Sequence, residues 1–207
     1  MSDDGGLILT VQADSADSAL GWAVLGARRW RCVVGAGGIR EDKVEGDGAT
    51  PVGTFPLRHI YYRNDRLVLP KPIGLPARPI SQHDGWCDDP RSDSYNRLVR
   101  TPNDWSHEKM WREDGLYDLV VVVGYNDDPP EGEWGSAIFL HIARDDKAGT
   151  QGCIAFARED LLELLPLITA QTRLRVLSHP ANEQPGPPSE DEELMKEFED
   201  FDEKDWS

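Results

Sequence analysis

Apolar and polar residues alternate with a period of two in several short stretches of this chain, the mark of strands buried on one face. Leu7 to Val11, Leu20 to Leu25 and Trp30 to Val34 are rich in branched and aromatic residues, with Asp, Ser and Gly between them. They predict the strands of a meander. Asp118 to Val123 drops the alternation for an unbroken apolar run, which predicts a central strand covered on both faces, with Tyr125 and Asn126 emerging at its end. From Ala137 the alternation returns, with Ala137, Phe139 and His141 on one face and Ile138, Leu140 and Ile142 on the other. A further apolar run opens after Cys153, and Thr172 to Leu177 predicts a closing strand. Between them, Arg158 to Ile168 changes to helical spacing: Leu161, Leu162, Leu164, Leu165 and Leu167 form a stripe, with Pro166 distorting the last turn. Residues 56–112 show little periodicity and predict a long, lid-like loop. The pattern specifies a mainly β (α+β) class, sandwich-like, with one or two short helices.

Charge divides the chain. The 207 residues suit one domain and carry a formal charge of -16. Residues 181–207 hold eleven Asp or Glu against two Lys. The division expected is a short flexible amino terminus at 1–6, one domain at 7–178 and an acidic, disordered tail at 179–207. Leu194, Met195, Phe198, Phe201 and Trp206 in that tail offer contacts to a partner or back to the domain, against the alternative of a plain solvated tail. An acidic surface repels phosphate backbones, so no nucleic-acid partner is expected. No run approaches the roughly 18 apolar residues of a membrane span, and the first residues lack a basic, apolar leader. The location expected is cytoplasmic, or periplasmic if a leader was trimmed.

The cysteines, Cys32, Cys87 and Cys153, are odd in number and widely spaced, which argues against a disulfide framework. His83 and Cys87 stand four apart with no second pair at ligand spacing, so no metal is expected. Gly35 to Gly38 suggests a tight turn or a backbone close to a ligand. Lys43, Glu45 and Asp47 read as a solvated turn, with Asp47 a candidate for pinning it through its backbone. His141 and Cys153 are a different matter. A strand ending on an imidazole, a short polar loop, and a Gly-Cys pair opening the next strand would set a base beside a thiol. A buried cysteine that only packs is the alternative. Gly152 lets a backbone pass close to a substrate, and the N–H groups of Gly152 and Cys153 are candidates for an oxyanion hole.

These residues resemble the L,D-transpeptidase (YkuD/ErfK-type) catalytic domain family, in a divergent Thr-x-Gly-Cys branch. The resemblance rests on His141 followed by Thr150, Gly152, Cys153 and Ile154, and on Thr50-Pro51-Val52-Gly53-Thr54-Phe55 upstream, and it covers roughly residues 7 to 178. Gln151 stands where the family motif has histidine, and Ala155 where it has Arg or Asn. The resemblance implies a β-sandwich domain, a Cys153 nucleophile with a His141 base, no cofactor, and a peptidoglycan tetrapeptide or muropeptide as substrate. Thr150 and Gln151 then flank the substrate. Tyr125, Arg112 and His107 are further substrate-binding candidates. Arg100 and Arg112 are candidates for gripping a carboxylate in place of the side chain absent at Ala155, and His107 with Glu108 for an acid-base pair. The Trp residues of 56–112 either line a cleft or glue the loop to the core.

The activity implied is cysteine-dependent acyl transfer. Hydrolysis makes the protein an L,D-carboxypeptidase of wall recycling, and attack by an amine makes it a crosslinking L,D-transpeptidase. A non-catalytic peptide- or glycan-binding module whose acidic tail recruits a partner is the alternative of another class. Thiol reactivity separates the two: a binding module is expected to carry an inert, ordinary Cys153, and an enzyme a thiolate formed below the ordinary cysteine range of about 8.5.

Overall fold

The computed structural model describes residues 6–179. In chain order the strands are β1 (Ile8–Ala13), β2 (Leu20–Leu25), β3 (Arg28–Val33), β4 (Ile39–Arg40), β5 (Thr50–Pro51), β6 (Gly53–Tyr62), β7 (Ala77–Pro79), β8 (Asp84–Cys87), β9 (Leu98–Arg100), β10 (His107–Lys109), β11 (Leu119–Val123), β12 (Phe139–Ile142), β13 (Ile154–Phe156) and β14 (Arg173–Leu177). One helix, α1 (Arg158–Leu164), runs into a 3-10 turn at Leu165–Leu167 whose first positions include Pro166. This is the mainly β class expected.

The principal sheet has nine strands in the order β11-β12-β13-β3-β2-β1-β14-β6-β7, and β11 also pairs with β6. That extra pairing closes the sheet into a ring, leaving β7 as a flank on β6. The antiparallel meander β1-β2-β3 is as predicted. Its outer neighbour β14 lies parallel to β1, and β12 lies parallel to β13, so the sheet is mixed.

Two apolar clusters share the strands. Leu119, Val121 and Val123 of β11 join Leu140, Ile142, Ile154, Phe156 and the inward residues of the meander in the larger one. Val120 and Val122 turn the other way, into a smaller cluster with Tyr61, Trp86, Met110, Tyr117, Phe139 and Cys153. The unbroken valine run is therefore explained: each face of β11 meets its own core. Helix α1 closes the larger cluster with the buried Leu161 and Leu164, and its first residue, Arg158, bonds the buried Asp118 just before β11. Arg66 bonds the other oxygen of the same carboxylate at 3.1 Å.

Residues 56–112 depart from the predicted loop. The first part continues β6, and the rest holds β7 and a small sheet in the order β10-β8-β9. These strands are too short to show a period, and they are fastened by polar groups instead. Asp84, fully buried, accepts from Arg78 (2.6 Å), Arg100 (2.8 Å) and the Ser81 N–H (2.8 Å). Although burial pushes its carboxyl up, those donors hold it below the usual carboxylate range. Trp86 and Met110 are buried in the smaller cluster, and Arg63 stacks 3.5 Å from the centre of the Trp111 ring, so these aromatics fasten the segment to the core.

Candidate active site

Phe139 and His141 leave β12 on the face opposite Leu140 and Ile142, as the alternation predicts. His141 is buried, and its Nδ1 lies 2.8 Å from the Ile142 carbonyl oxygen. A carbonyl only accepts, so Nδ1 carries the proton and Nε2 is left with its lone pair. The Tyr117 ring meets the imidazole edge-on, with centroids 5.3 Å apart. Burial first of all pushes the imidazole down to about 4, so it is neutral near pH 7.

Cys153 immediately precedes the neighbouring parallel strand β13 and lines the same cavity as His141, of about 440 Å³. Its thiol donates to the Ala137 carbonyl at 3.1 Å. Burial pushes the thiol up to about 12, and the charge of Glu108 adds to the rise, while the Phe139 N–H and Lys43 pull the other way. The thiol is therefore neutral near pH 7, as is the imidazole on the same cavity, where an enzyme is expected to carry a thiolate. The reason is position: Cys153 belongs to an apolar cluster and shares its cavity with a carboxylate.

The two sequence motifs meet behind the thiol. Thr50 Oγ1 donates to the Gly152 carbonyl (2.9 Å) while accepting the Gly35 N–H (2.8 Å). Thr150 Oγ1 donates to the Cys153 carbonyl (2.6 Å) and accepts the Gly152 N–H (3.1 Å). The expected oxyanion pair is altered accordingly, since the Gly152 N–H is already engaged. Gly152 instead provides clearance: at φ 116° a Cβ would stand 2.6 Å from the Ala49 carbonyl oxygen. The Gly35–Gly38 stretch is likewise a close backbone crossing, with Ala36 N–H bonded to Thr150 O and Gly37 N–H to Gly48 O.

Of the other candidates, Thr150, Gln151 and Arg112 line the cavity with Cys153 and His141. His107 does not; alternation along β10 sends its neighbour Glu108 there, while the His107 ring packs over Gly85 and its Nδ1 bonds Trp105 O at 2.9 Å. Tyr125 also stands outside the lining, edge-on to Phe55 and donating to the Trp134 carbonyl. Arg100 is paired with Asp84 rather than turned to the cavity. Arg112 grips Asp114 at 2.5 Å, stands 3.5 Å from Glu108 and lies over the Tyr117 ring at 5.0 Å.

Several lining groups have no motif to announce them. Glu108 accepts from Tyr117 at 2.7 Å, and burial raises its carboxyl above the ordinary range. Asp88, with one buried oxygen lacking a partner among the described residues, and Arg144 complete the charged rim. Glu45 takes the hydroxyls of Tyr95 (2.5 Å) and Ser136 (2.9 Å), and Lys43 is buried against Asp47 at 2.9 Å. The expected solvated turn is exposed at Val44, Glu45 and Gly46 but buried at Lys43, and Asp47 pins it by accepting the Val44 and Ala49 N–H groups. Asn96 holds the cavity wall: its Oδ1 accepts Trp86 Nε1–H and the Ala137 N–H, and its Nδ2 donates to the Tyr125 and Asn126 carbonyls.

His83 is exposed and Cys87 fully buried, and among the described residues no three His, Cys, Asp or Glu side chains are grouped to hold a metal. Among the same residues no helix is long and apolar enough to cross a membrane.

Residues 13–176 match the family model described as the L,D-transpeptidase catalytic domain (YkuD). No curated protein matches the chain. Among solved structures, L,D-transpeptidase 1 of Mycobacterium tuberculosis is similar at 14% identity with a TM-score of 0.37, over 83% of this chain and 59% of that one. The chain thus spans little more than half of that relative's length.

Proposed function

From the premise that this chain belongs to the L,D-transpeptidase catalytic domain family, we propose that it is a cysteine acyl-transfer enzyme working on peptidoglycan stem peptides as an L,D-carboxypeptidase. The observation that carries this reading is the placement of Cys153 and His141 on one cavity, with His141 Nδ1 fixed by the Ile142 carbonyl and Nε2 left to act as a base.

The chemistry proceeds in two steps. Cys153 Sγ attacks the carbonyl of the bond before the terminal D-alanine as His141 Nε2 takes the thiol proton. Because both groups are neutral at rest, proton transfer accompanies attack rather than preceding it. The tetrahedral intermediate collapses with that proton passing from His141 to the departing amine, leaving an acyl group on sulfur. Water, deprotonated by the same imidazole, then breaks the thioester and restores the thiol. The developing oxyanion needs preorganised donors. With the Gly152 N–H engaged by Thr150, the Cys153 N–H is the candidate that remains from the motif.

A second reading, the crosslinking transpeptidase, is favoured by one feature. A cavity of about 700 Å³ shares Val33, Leu116, Arg144 and Ala155 with the first, so a cleft continues past the thiol and offers space for an acceptor amine. Incubation with disaccharide-tetrapeptide separates the two. Tripeptide and free D-alanine support hydrolysis, a crosslinked dimer supports the second reading, and unchanged substrate overturns both in favour of a binding module. A cytoplasmic place in wall recycling belongs to the first reading, and recovery of the protein outside the cytoplasmic membrane in fractionated cells overturns that part.

A further inference from the structure

The outer face of the meander has a composition at odds with the rest of the chain. Inward positions Leu9, Val11, Ala23, Leu25, Leu174 and Val176 are buried, so by alternation the partners between them face out. The pairing register sets those residues in rows. Arg31 lies opposite Trp22, Trp22 opposite Gln12, and Gln12 beside Leu177. In the next row Arg29 lies opposite Val24, Val24 opposite Thr10, and Thr10 beside Arg175. Ile8 and Arg173 begin a third.

This face joins exposed apolar groups to cations. Ile8, Val24 and Leu177 are 36%, 39% and 37% exposed, although the core positions beside them are closed. Arg29 and Arg31 stack on the Trp22 ring at 4.7 Å and 4.5 Å. Asp14 neutralises Arg31 at 2.7 Å, whereas Arg29, Arg173 and Arg175 have no ion pair among the described residues. A basic, partly apolar sheet face on a chain of formal charge -16 calls for an occupant of opposite charge that also carries rings.

The chain itself contains such a segment. Residues 190–206, outside the described residues, include Glu190, Asp191, Glu192 and Glu193 and then Phe198, Phe201 and Trp206 among further carboxylates. The chain also leaves β14 at the right place, because Leu177 stands in the same row as Trp22. From His179 to Glu190 an extended chain reaches on the order of 35 Å. The strand carrying Arg29 and Arg31 is three spacings from β14, about 14 Å.

We propose that residues 190–206 dock on the outer face of β3-β2-β1-β14, setting carboxylates on Arg29, Arg173 and Arg175 and aromatic rings on Trp22, Val24 and Ile8. The tether keeps the segment at millimolar effective concentration, so weak contacts suffice. This inference is independent of the reaction assigned to Cys153.

Arginine footprinting of the full chain tests it. Phenylglyoxal adducts are counted by peptide mass mapping and normalised to Arg97, which is exposed and outside this face. Arg29, Arg173 and Arg175 are expected to react about two- to tenfold more slowly than in a variant carrying Phe198→Ser, Phe201→Ser and Trp206→Ser, which keeps every charge. A second variant, Glu190→Gln, Asp191→Asn, Glu192→Gln and Glu193→Gln, is expected to lose the protection as well. Equal rates in all three proteins overturn the proposal. So does protection that survives the aromatic variant, which would be a diffuse electrostatic effect, and so does protection that fades on dilution, which would assign the face to a second copy.

Discussion

Thr50 Oγ1 donates to the Gly152 carbonyl across 2.9 Å, joining residues 102 positions apart in the chain and tying the upstream Thr-Pro motif to the backbone beside the thiol. The same oxygen accepts the Gly35 N–H, and Thr50 is fully buried. Thr50→Val keeps the shape but strands a buried carbonyl and a buried N–H. It is expected to lower the unfolding free energy by about 1–3 kcal/mol, while Thr50→Ser stays near wild type. Denaturant unfolding of the two variants checks this, and equal midpoints would remove the bond from the account.

Gly152→Ala tests the backbone itself. The substitution places a methyl 2.6 Å from Ala49 O at a φ of 116°, where side chains are strained. A cost of about 1–3 kcal/mol in stability is expected, together with displacement of Cys153 and loss of turnover. Turnover at the wild-type rate in Gly152→Ala would show that the approach of the two backbones does not position the thiol.

How much of this was legible in the sequence follows from the range of the signals. The meander, the doubly covered β11, the facing of His141 away from Leu140 and Ile142, and the helix whose last turn is distorted at Pro166 all follow from local sequence pattern. Strands β8, β9 and β10 do not, because segments of three or four residues complete no pattern and rest on ion pairs such as Arg100 with Asp84, fixed only after folding. The site divides in the same way. Cys153, His141, Thr150 and Gly152 announce themselves by motif, whereas Glu108, Tyr117 and Arg144 reach the cavity, and Asn96 braces Ala137 on its wall, through tertiary placement. The candidate pair His107 and Glu108 is divided by a single step of alternation, which turns only Glu108 to the cavity. Nor did the motif disclose the state of the thiol, since burial decides it.

His141 makes stability depend on pH. Its folded value, pushed from 6.5 down to about 4 by burial, means that between these values the unfolded chain binds a proton that the folded chain refuses. The stability it contributes is therefore complete above pH 6.5 and is lost as pH falls toward 4, by up to roughly 3 kcal/mol. Urea midpoints measured from pH 7 to pH 4 should fall, and more gently in His141→Gln. Parallel profiles for the two proteins would contradict the burial argument.

Burial first, and then the charge of Glu108, holds the thiol back. With Cys153 at about 12, only on the order of one molecule in ten thousand carries a thiolate at pH 8. Alkylation by iodoacetamide should therefore be slow at pH 8 and rise steeply as pH increases. Glu108→Gln keeps an acceptor for Tyr117 but removes the charge, worth about 1 kcal/mol, so alkylation at pH 8 should accelerate roughly fivefold. No change, or slower alkylation, would show that Glu108 does not act on the thiol.

The central claim is that Cys153 carries the acyl group, and intact-protein mass spectrometry after rapid mixing with disaccharide-tetrapeptide and acid quenching reads it directly. The account predicts an adduct equal to the substrate less its terminal D-alanine, mapped to Cys153, absent from Cys153→Ala and much reduced in His141→Gln. An unmodified Cys153 with intact substrate, or product formed at the wild-type rate by Cys153→Ala, would contradict it.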